Sequence, residues 1–486
     1  MNHVRPLLPG LFLAAFCGVL FFPFLGQRDL TRSHEARAAQ NAQMILDEGH
    51  WLVPRLFDRH IELQKPPLFY WVVAAFGWLG GGRVDVWAVR LPSALAALAC
   101  VMFLYFLGVR SQRPRVGLLA GLILASSVHF TWLAQVGRID MPLTLTITVA
   151  LGASYLGRLE GRWFWHALGY TAVGLGMLLK GPIALVLPAL VAGTVWIFER
   201  RFAWRSTTLW WGVPLSLMIA APWYVWANWQ TDNQLWEVFF WYHNVERGLG
   251  GAEALAAHPW WFYGPRLAVD LLPWSLAIPV ALWWFACNPE ARQDDGAHFG
   301  LIWPLAIVLF LSLMRFKRAD YLLPAYPGLA IFLAVWAERW WTNRAPALWP
   351  QAGLAVVLVS CLTGWLAFNL LYLSSAEKAW PYRTIAEEIR GRTEKPVIFF
   401  RAESHVLAYH LGQPVTTVLE WENLEIWANR PFPVYIVMPE NCAWEWQERL
   451  PTTALREVLR TSAYPGHARD RPLVVLRSLG TTAAGP

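Results

Sequence analysis

The chain has 486 residues, 56% of them hydrophobic and 15% charged, with a formal net charge of +7. A soluble globular chain carries about 25% charged residues. That deficit, together with apolar runs of about 18 residues or more, excludes an ordinary soluble protein and reads as a polytopic membrane protein embedded in a lipid bilayer. The positive balance calls for no nucleic acid, because basic loops on the cytoplasmic side of a membrane account for it.

The 32 tryptophans fit interfacial belts, where an apolar ring with one N–H sits at headgroup level. Five cysteines (Cys17, Cys100, Cys287, Cys361, Cys442) show no CxxC and no regular spacing, so neither a disulfide framework nor a zinc knuckle is expected. The N-terminus has a short basic region and then an apolar core of full span length. No small-residue cleavage site follows, so it reads as an uncleaved first helix with its N-terminus in the cytoplasm.

Taken in chain order, the candidate spans are roughly 7–26, 87–109, 116–134, 141–157, 163–179, 182–198, 208–227, 264–286, 298–313, 323–340 and 351–373. The joining segments at 110–115, 158–162, 199–205 and 338–344 are net basic, which places them in the cytoplasm. Segment 287–297 is net acidic and breaks the pattern, but acidic residues count for little in this rule. Eleven crossings follow. Parity then requires the short run Leu68–Arg83, which ends in three glycines, to dip into or lie along the outer leaflet without crossing.

Between the first two crossings lies the segment 28–67, with six basic residues, six acidic ones and three histidines. Long, structured loops in compact architectures are usually functional. Its first half has helical spacing, with Ala38, Ala39, Ala42, Ile45 and Leu46 on one side, after Thr31 and Ser33 as candidate caps. Glu35 and Arg37 fit two readings, a capped helix start with a surface ion pair or part of a site. Lys65, before Pro66 and Pro67, is likewise either a snorkelling anchor or a phosphate ligand. The same extracytoplasmic side receives Arg138 and Asp140 at a tight turn, Lys180 at another, the loop 229–263 with His243, Glu246 and Arg247, and Lys317, Arg318, Asp320 and Tyr321. One such cluster is an interfacial anchor. Five on one face, with several cations and two or three carboxylates, point to a site for an anionic lipid-linked substrate.

From about Ser374 the composition becomes that of a soluble α/β domain. Buried strands are predicted at 396–400, 414–419, 433–438 and 472–476, with helical stretches such as SHVLAYHLG between them.

The segments HEARAAQNAQMILDEGHWLVPRLFDRHIELQKPPLFYW, AVRLPSALAAL, RIDMPL, LLKGPIALVLP, the His/Arg/glycine loop and YLLPAYPGLAI follow one another in this order. The combination resembles the GT-C superfamily of polyprenyl-phosphate-sugar-dependent glycosyltransferases. Within it, the group of the bacterial lipid A aminoarabinose transferases and the related protein O-mannosyltransferases matches best, over about residues 1–340.

The resemblance implies a helical membrane domain over 1–373, its first periplasmic loop at 28–83, and a periplasmic α/β domain over 374–486. It also implies a bacterial inner-membrane enzyme that moves a sugar from a polyprenyl phosphate to a lipid, glycan or protein acceptor on the periplasmic face, with inversion. The family's Asp-Glu motif falls on His34 and Glu35, so Glu35 and Asp140 are the candidate catalytic carboxylates. Arg37, Lys65 and Arg247 match cations that hold the donor phosphate, Tyr321 matches a pocket tyrosine, and Lys180 joins them. The family's metal-binding Glu is Gln64 here, with His243 as counterpart of its histidine. A divalent metal is therefore expected to be weak or absent, with His34 and Glu35 as possible substitute ligands. The competing readings are a lipid-linked-sugar transporter or flippase and a non-catalytic envelope-assembly protein.

Overall fold

The computed structural model describes residues 7–30, 32–199, 208–246, 258–342, 349–373, 382–392, 397–402, 404–413, 415–451, 453–460 and 472–479. Helix α1 (Leu7–Phe21) is apolar throughout and leads into the first loop. There α2 (Ser33–Glu48) ends at Gly49, whose φ of 73° lets its N–H reach the Ile45 carbonyl. The entry differs from expectation. Arg32 occupies the N-cap with no side-chain bond, because the side chains of this turn face elsewhere, as described below. Ala38, Ala39, Ala42 and Ile45 bury against Phe69, Tyr70, Val73 and Ala74 of α3 (Leu68–Leu79). Pro67 is helical rather than extended and starts α3. Twelve residues rise only about 18 Å, against a hydrocarbon core of about 30 Å, so α3 is too short to cross.

The frame continues with α4 (Val86–Arg110), α5 (Pro114–Ala125), α6 (Val128–Ala134), α7 (Asp140–Glu160), α8 (Trp163–Lys180), α9 (Ile183–Glu199) and α10 (Leu209–Gln230). After a π-helical segment, Trp236–Glu246, come α11 (Tyr263–Asp270), α12 (Ile278–Cys287), α13 (Asp295–Leu313), α14 (Tyr326–Thr342) and α15 (Trp349–Ala367). Among the described residues four helices are long and apolar enough to cross a membrane, or six if each of two bent pairs is one span.

Those two pairs correct the expectation of continuous spans over 116–134 and 264–286. The chain bends by 73° between α5 and α6, and by 110° between 260–270 and 274–287. The backbone groups freed at the bends find partners, as they must at membrane depth. Ser126 and Ser127 hydroxyls donate to the Leu122 and Ile123 carbonyls at 2.5 and 2.7 Å. The breaks also bond each other, through Val128 N–H to the Leu272 carbonyl at 3.1 Å and Trp274 Nε1 to Ser126 Oγ at 2.9 Å.

Beyond the helices, a five-stranded sheet runs in the order β2-β1-β3-β5-β4, with β1 (Val397–Phe400), β2 (Thr416–Val418), β3 (Tyr435–Pro439), β4 (Leu455–Arg460) and β5 (Leu473–Ser478). β1 pairs parallel with β2 and β3, while β5 runs antiparallel to β3 and β4. Four strands match the predicted ones. The edge strand β4 was missed, since its largely exposed LREVLR lacks a continuous apolar run. The sheet unit packs on α2: Ala36, Met44 and Phe57 share a core with Ile385, Val397, Phe399 and Leu407. Gln40 Nε2 donates to the His405 carbonyl at 2.8 Å, and Val415 N–H to the Phe57 carbonyl at 3.2 Å.

Close backbone approach holds α4 to α5, where a Cβ on Gly108 would sit 2.4 Å from Gly117 Cα and 2.5 Å from its N. Backbone atoms cannot rotate away, so Gly108→Val should destabilise the helical frame by about 1–3 kcal/mol, read as a lower melting temperature in detergent. An unchanged melting temperature would show that the two helices can separate freely.

Candidate active site

The first turn of α2 sends its two ionisable side chains to different places. Glu35, 1% exposed, accepts from Arg90 Nε at 2.7 Å, from Arg90 Nη2 at 3.2 Å and from the Gly137 N–H at 2.9 Å. Arg90, near the start of the apolar α4, also donates to the carbonyls of Leu25, Arg28 and Asp29 at 2.7 to 2.9 Å. Gly137 has to be glycine for this approach, because a Cβ there would lie 2.4 Å from Val89 Cγ1 and 2.7 Å from the Val89 carbonyl oxygen. Burial pushes the Glu35 carboxyl up, but the Arg90 charge and these hydrogen bonds outweigh it and hold it below the ordinary carboxylate range.

Arg37 turns toward the other half of the loop. It pairs with Glu62 and donates to Gln64 Oε1 at 2.9 Å. A surface ion pair between Glu35 and Arg37 does not form; each is claimed by a residue distant in sequence. His34 opens onto a cavity and stays exposed there. The protein crowded around the ring and the nearby Arg138 and Arg318 charges lower its pKa below the usual histidine value.

That cavity, about 100 Å³, is lined by His34, Arg37, Gln64, Lys65, Tyr70, Arg138, Asp140, Lys180, Arg318 and Tyr321, with a few apolar neighbours. A second cavity of about 250 Å³ adjoins it, walled mainly by Leu143, Ile183, Val186, Leu187, Phe310, Leu311, Met314 and Phe316. The two share Lys65, Asp140, Lys180 and Tyr321. Asp140, at the start of α7, accepts from Lys180 Nζ at 2.5 Å and lies 3.3 Å from Arg138 Nε. Lys180 Nζ also sits 4.3 Å from the centre of the Tyr321 ring.

Of the residues singled out from sequence, His34, Arg37, Gln64, Lys65, Asp140, Lys180 and Tyr321 meet in this place. Glu35 lies behind its wall. Arg247 lies outside the described residues, as does the side chain of His243.

Several members had no assigned role in the sequence reading. Arg138 donates to Asp320 at 2.6 Å, and Arg318 lies 3.2 Å from the same carboxylate. Behind Asp320, His129 Nε2 is 3.5 Å away, while His129 Nδ1 meets the Tyr326 hydroxyl at 2.9 Å and Asp270 at 3.5 Å. Arg90 and His129 each interrupt an apolar run, and a charge or imidazole in a span is the signal that marks such residues.

The described residues of the site do not by themselves fit a divalent ion. Both Glu35 oxygens are taken by Arg90 and Gly137, and Gln64 Oε1 is taken by Arg37. Among the described residues no group of three or more His, Cys, Asp or Glu is spaced to hold a metal. A larger cavity, about 450 Å³, between α7, α8, α9 and α10 has Arg158 and His166 in its lining but no carboxylate. It lies toward the far end of α7 from Asp140 and shares no residue with the charged cavity.

The chain is similar to proteins named as transferases. A family model described as dolichyl-phosphate-mannose-protein mannosyltransferase matches residues 64–226. An undecaprenyl phosphate-α-4-amino-4-deoxy-L-arabinose arabinosyl transferase of Pseudomonas fluorescens is 28% identical over 80% of this chain and 65% of its own length. A Pseudomonas aeruginosa protein of the same name is 33% identical over 66% of this chain and 58% of its own length. The fold matches the crystal structure of ArnT from Cupriavidus metallidurans bound to undecaprenyl phosphate, with a TM-score of 0.80, 21% identity, and 96% and 97% of the two chains covered. This chain is similar in sequence to the aminoarabinose transferases and shares the fold of the Cupriavidus protein. It spans about 58–65% of the length of the curated relatives it matches.

The Glu35–Arg90 pair yields a stability prediction with a defined sign. A carboxyl held below its ordinary pKa contributes stability that is present above the unfolded value of about 4.3 and is lost as pH falls through the folded one. Glu35→Gln should therefore cost about 3 kcal/mol at pH 7, since it leaves Arg90 buried without its counter-charge. It should also flatten the fall in melting temperature from about pH 5 to pH 3. Equal acid profiles for variant and wild type would show that the pair carries no such weight.

Proposed function

We propose that the protein is an integral-membrane glycosyltransferase that moves a sugar from a polyprenyl phosphate to an acceptor on the periplasmic face of a bacterial inner membrane. The observation that carries this reading is the junction of the two cavities at Lys65, Asp140, Lys180 and Tyr321. A donor of this class has an apolar chain and an anionic head. The apolar cavity suits the first isoprene units, and the cation-rich one suits the phosphate and sugar. The names of the relatives, which act on an undecaprenyl-phosphate sugar, support the same donor class. On this reading the chain crosses the membrane eleven times, with the first loop, the junction and the sheet unit on the periplasmic side.

In the proposed reaction the acceptor oxygen attacks the anomeric carbon from the face opposite the phosphate. The C1–O bond to the phosphate breaks, its electron pair leaves with the phosphate, and the configuration inverts. Lys65, Arg37 and Lys180, with Arg247 from outside the described residues, neutralise the charge that grows on the leaving phosphate. Fixed cations at that position act mainly in the transition state. Asp140 takes the proton of a hydroxyl acceptor, since it lines the junction while Glu35 is sealed behind the wall. Glu35 acts as a positioning residue, fixing the α2 turn that presents His34 and Arg37. An acceptor that is itself a phosphate arrives as a nucleophile and needs no base, so lipid, glycan and protein acceptors all remain compatible with this site. The charge stabilisation comes from the cations, and no step requires a metal.

The test is a transfer assay in liposomes with several polyprenyl-phosphate sugars. Lys65→Ala should lower kcat/KM by about 100-fold or more with an unchanged melting temperature. Asp140→Asn should abolish transfer to hydroxyl acceptors, and to them more than to phosphate acceptors. Binding of polyprenyl phosphate without its release from any donor would overturn the transferase reading in favour of a transporter or assembly protein.

A further inference from the structure

We infer that the donor sugar carries no cationic amine and is neutral or anionic, such as a plain hexose or a uronic acid. This inference rests on the transferase reading above and deepens it. The charges around the junction decide the matter. Arg37, Lys65, Arg138, Lys180 and Arg318 line the cavity, against Asp140 as the one carboxylate among its described lining residues. Glu62 stands just behind, paired with Arg37, and Asp320 lines the adjoining cavity, paired with Arg138 and Arg318. Even with both counted, five cations face three carboxylates among the described residues. The single negative charge of a glycosyl phosphodiester offsets one of the two surplus positive charges and leaves the other.

Each of the three carboxylates is already paired with a cation of the protein. Asp140 is bound by Lys180 and Arg138, with one contact on each of its oxygens. Glu62 is bound by Arg37 and by the Gln64 N–H at 2.9 Å. Asp320 is bound by Arg138, Arg318 and His129. The remaining polar residues of the lining, His34, Gln64, Tyr70 and Tyr321, bring no carboxylate, and Gln64 Oε1 is already used by Arg37. In a cavity of about 100 Å³, a sugar ammonium would lie within a few ångströms of these cations and find no carboxylate among the described residues that is not already paired. Like charges in close, partly desolvated contact are strongly selected against. The relatives are named for a 4-amino-4-deoxy sugar, whose amine is protonated at neutral pH. On this charge pattern the present chain serves a different donor.

The experiment uses the full-length protein in liposomes and four donors on one polyprenyl phosphate: a 4-aminopentose, its N-formyl derivative, a neutral hexose and a uronic acid. Turnover is read as released polyprenyl phosphate, and binding as competition with a fluorescent polyprenyl phosphate. Masking the amine by formylation should improve both readouts by about tenfold or more, and the hexose or the uronic acid should match or exceed the formylated donor. His34→Asp and Gln64→Glu each add a carboxylate to the cavity wall and should shift the amine-to-formyl ratio toward the amine by about tenfold. The wild-type ratio decides the question even where a variant fails to fold. An amine donor that binds and turns over as well as its formyl derivative overturns the inference and leaves the transferase reading intact. The expected order in binding with no release from any donor supports the inference on sugar charge and overturns the transferase reading instead.

Discussion

A single buried ion pair organises the extramembrane face of this protein. Glu35 and Arg90 are each almost fully enclosed, and between them they engage the Gly137 N–H and three carbonyls at the end of the first helical segment. A charge buried this deeply is tolerated only when every donor and acceptor around it is used. The pair therefore clamps α1, α2, α4 and the turn before α7 in one relative position. His34 and Arg37, on the same turn of α2, and Arg138 and Asp140, next to Gly137, inherit their positions from it.

The two broken helix pairs do a related job from below. By bending at Ser126–Ser127 and at Leu271–Pro273, the chain brings His129 and Asp270 into the protein interior, where they back Asp320. Asp320 in turn holds Arg138 and Arg318 at the cavity wall. Several guanidinium and ammonium groups crowded into one place repel each other and would swing out to solvent unless carboxylates behind them fixed their direction. The cavity thus keeps a positive face while its own cations stay oriented. The sheet unit adds a third support by packing on the opposite side of α2.

The chemistry follows from the meeting of two unlike cavities. An apolar wall without charges cannot choose a head group, and a cluster of cations without an apolar neighbour cannot choose a prenyl lipid. Lys65, Asp140, Lys180 and Tyr321 belong to both, so a ligand that satisfies one is placed against the other. The Tyr321 ring over Lys180 marks the border.

Composition and periodicity were enough to read a membrane frame, the structured first loop, a short α3 and four of the five strands, because each depends on local apolar spacing that tertiary contacts do not change. The resemblance supplied most of the members of the site. Other features were illegible from the chain alone. Nothing near Glu35 in sequence announces that Arg90, fifty-five positions away, will consume it, and without that contact Glu35 and Asp140 are equivalent candidates. Continuous apolar runs likewise conceal the bends in the α5–α6 and 260–287 segments, since two of the bonds that stabilise the breaks run from one break to the other. Residue types and helix lengths are properties of local sequence and are set there. Which carboxylate is sealed, which faces the cavity, and how much positive charge that cavity keeps are set by burial and pairing between distant segments, and only the tertiary structure decides them.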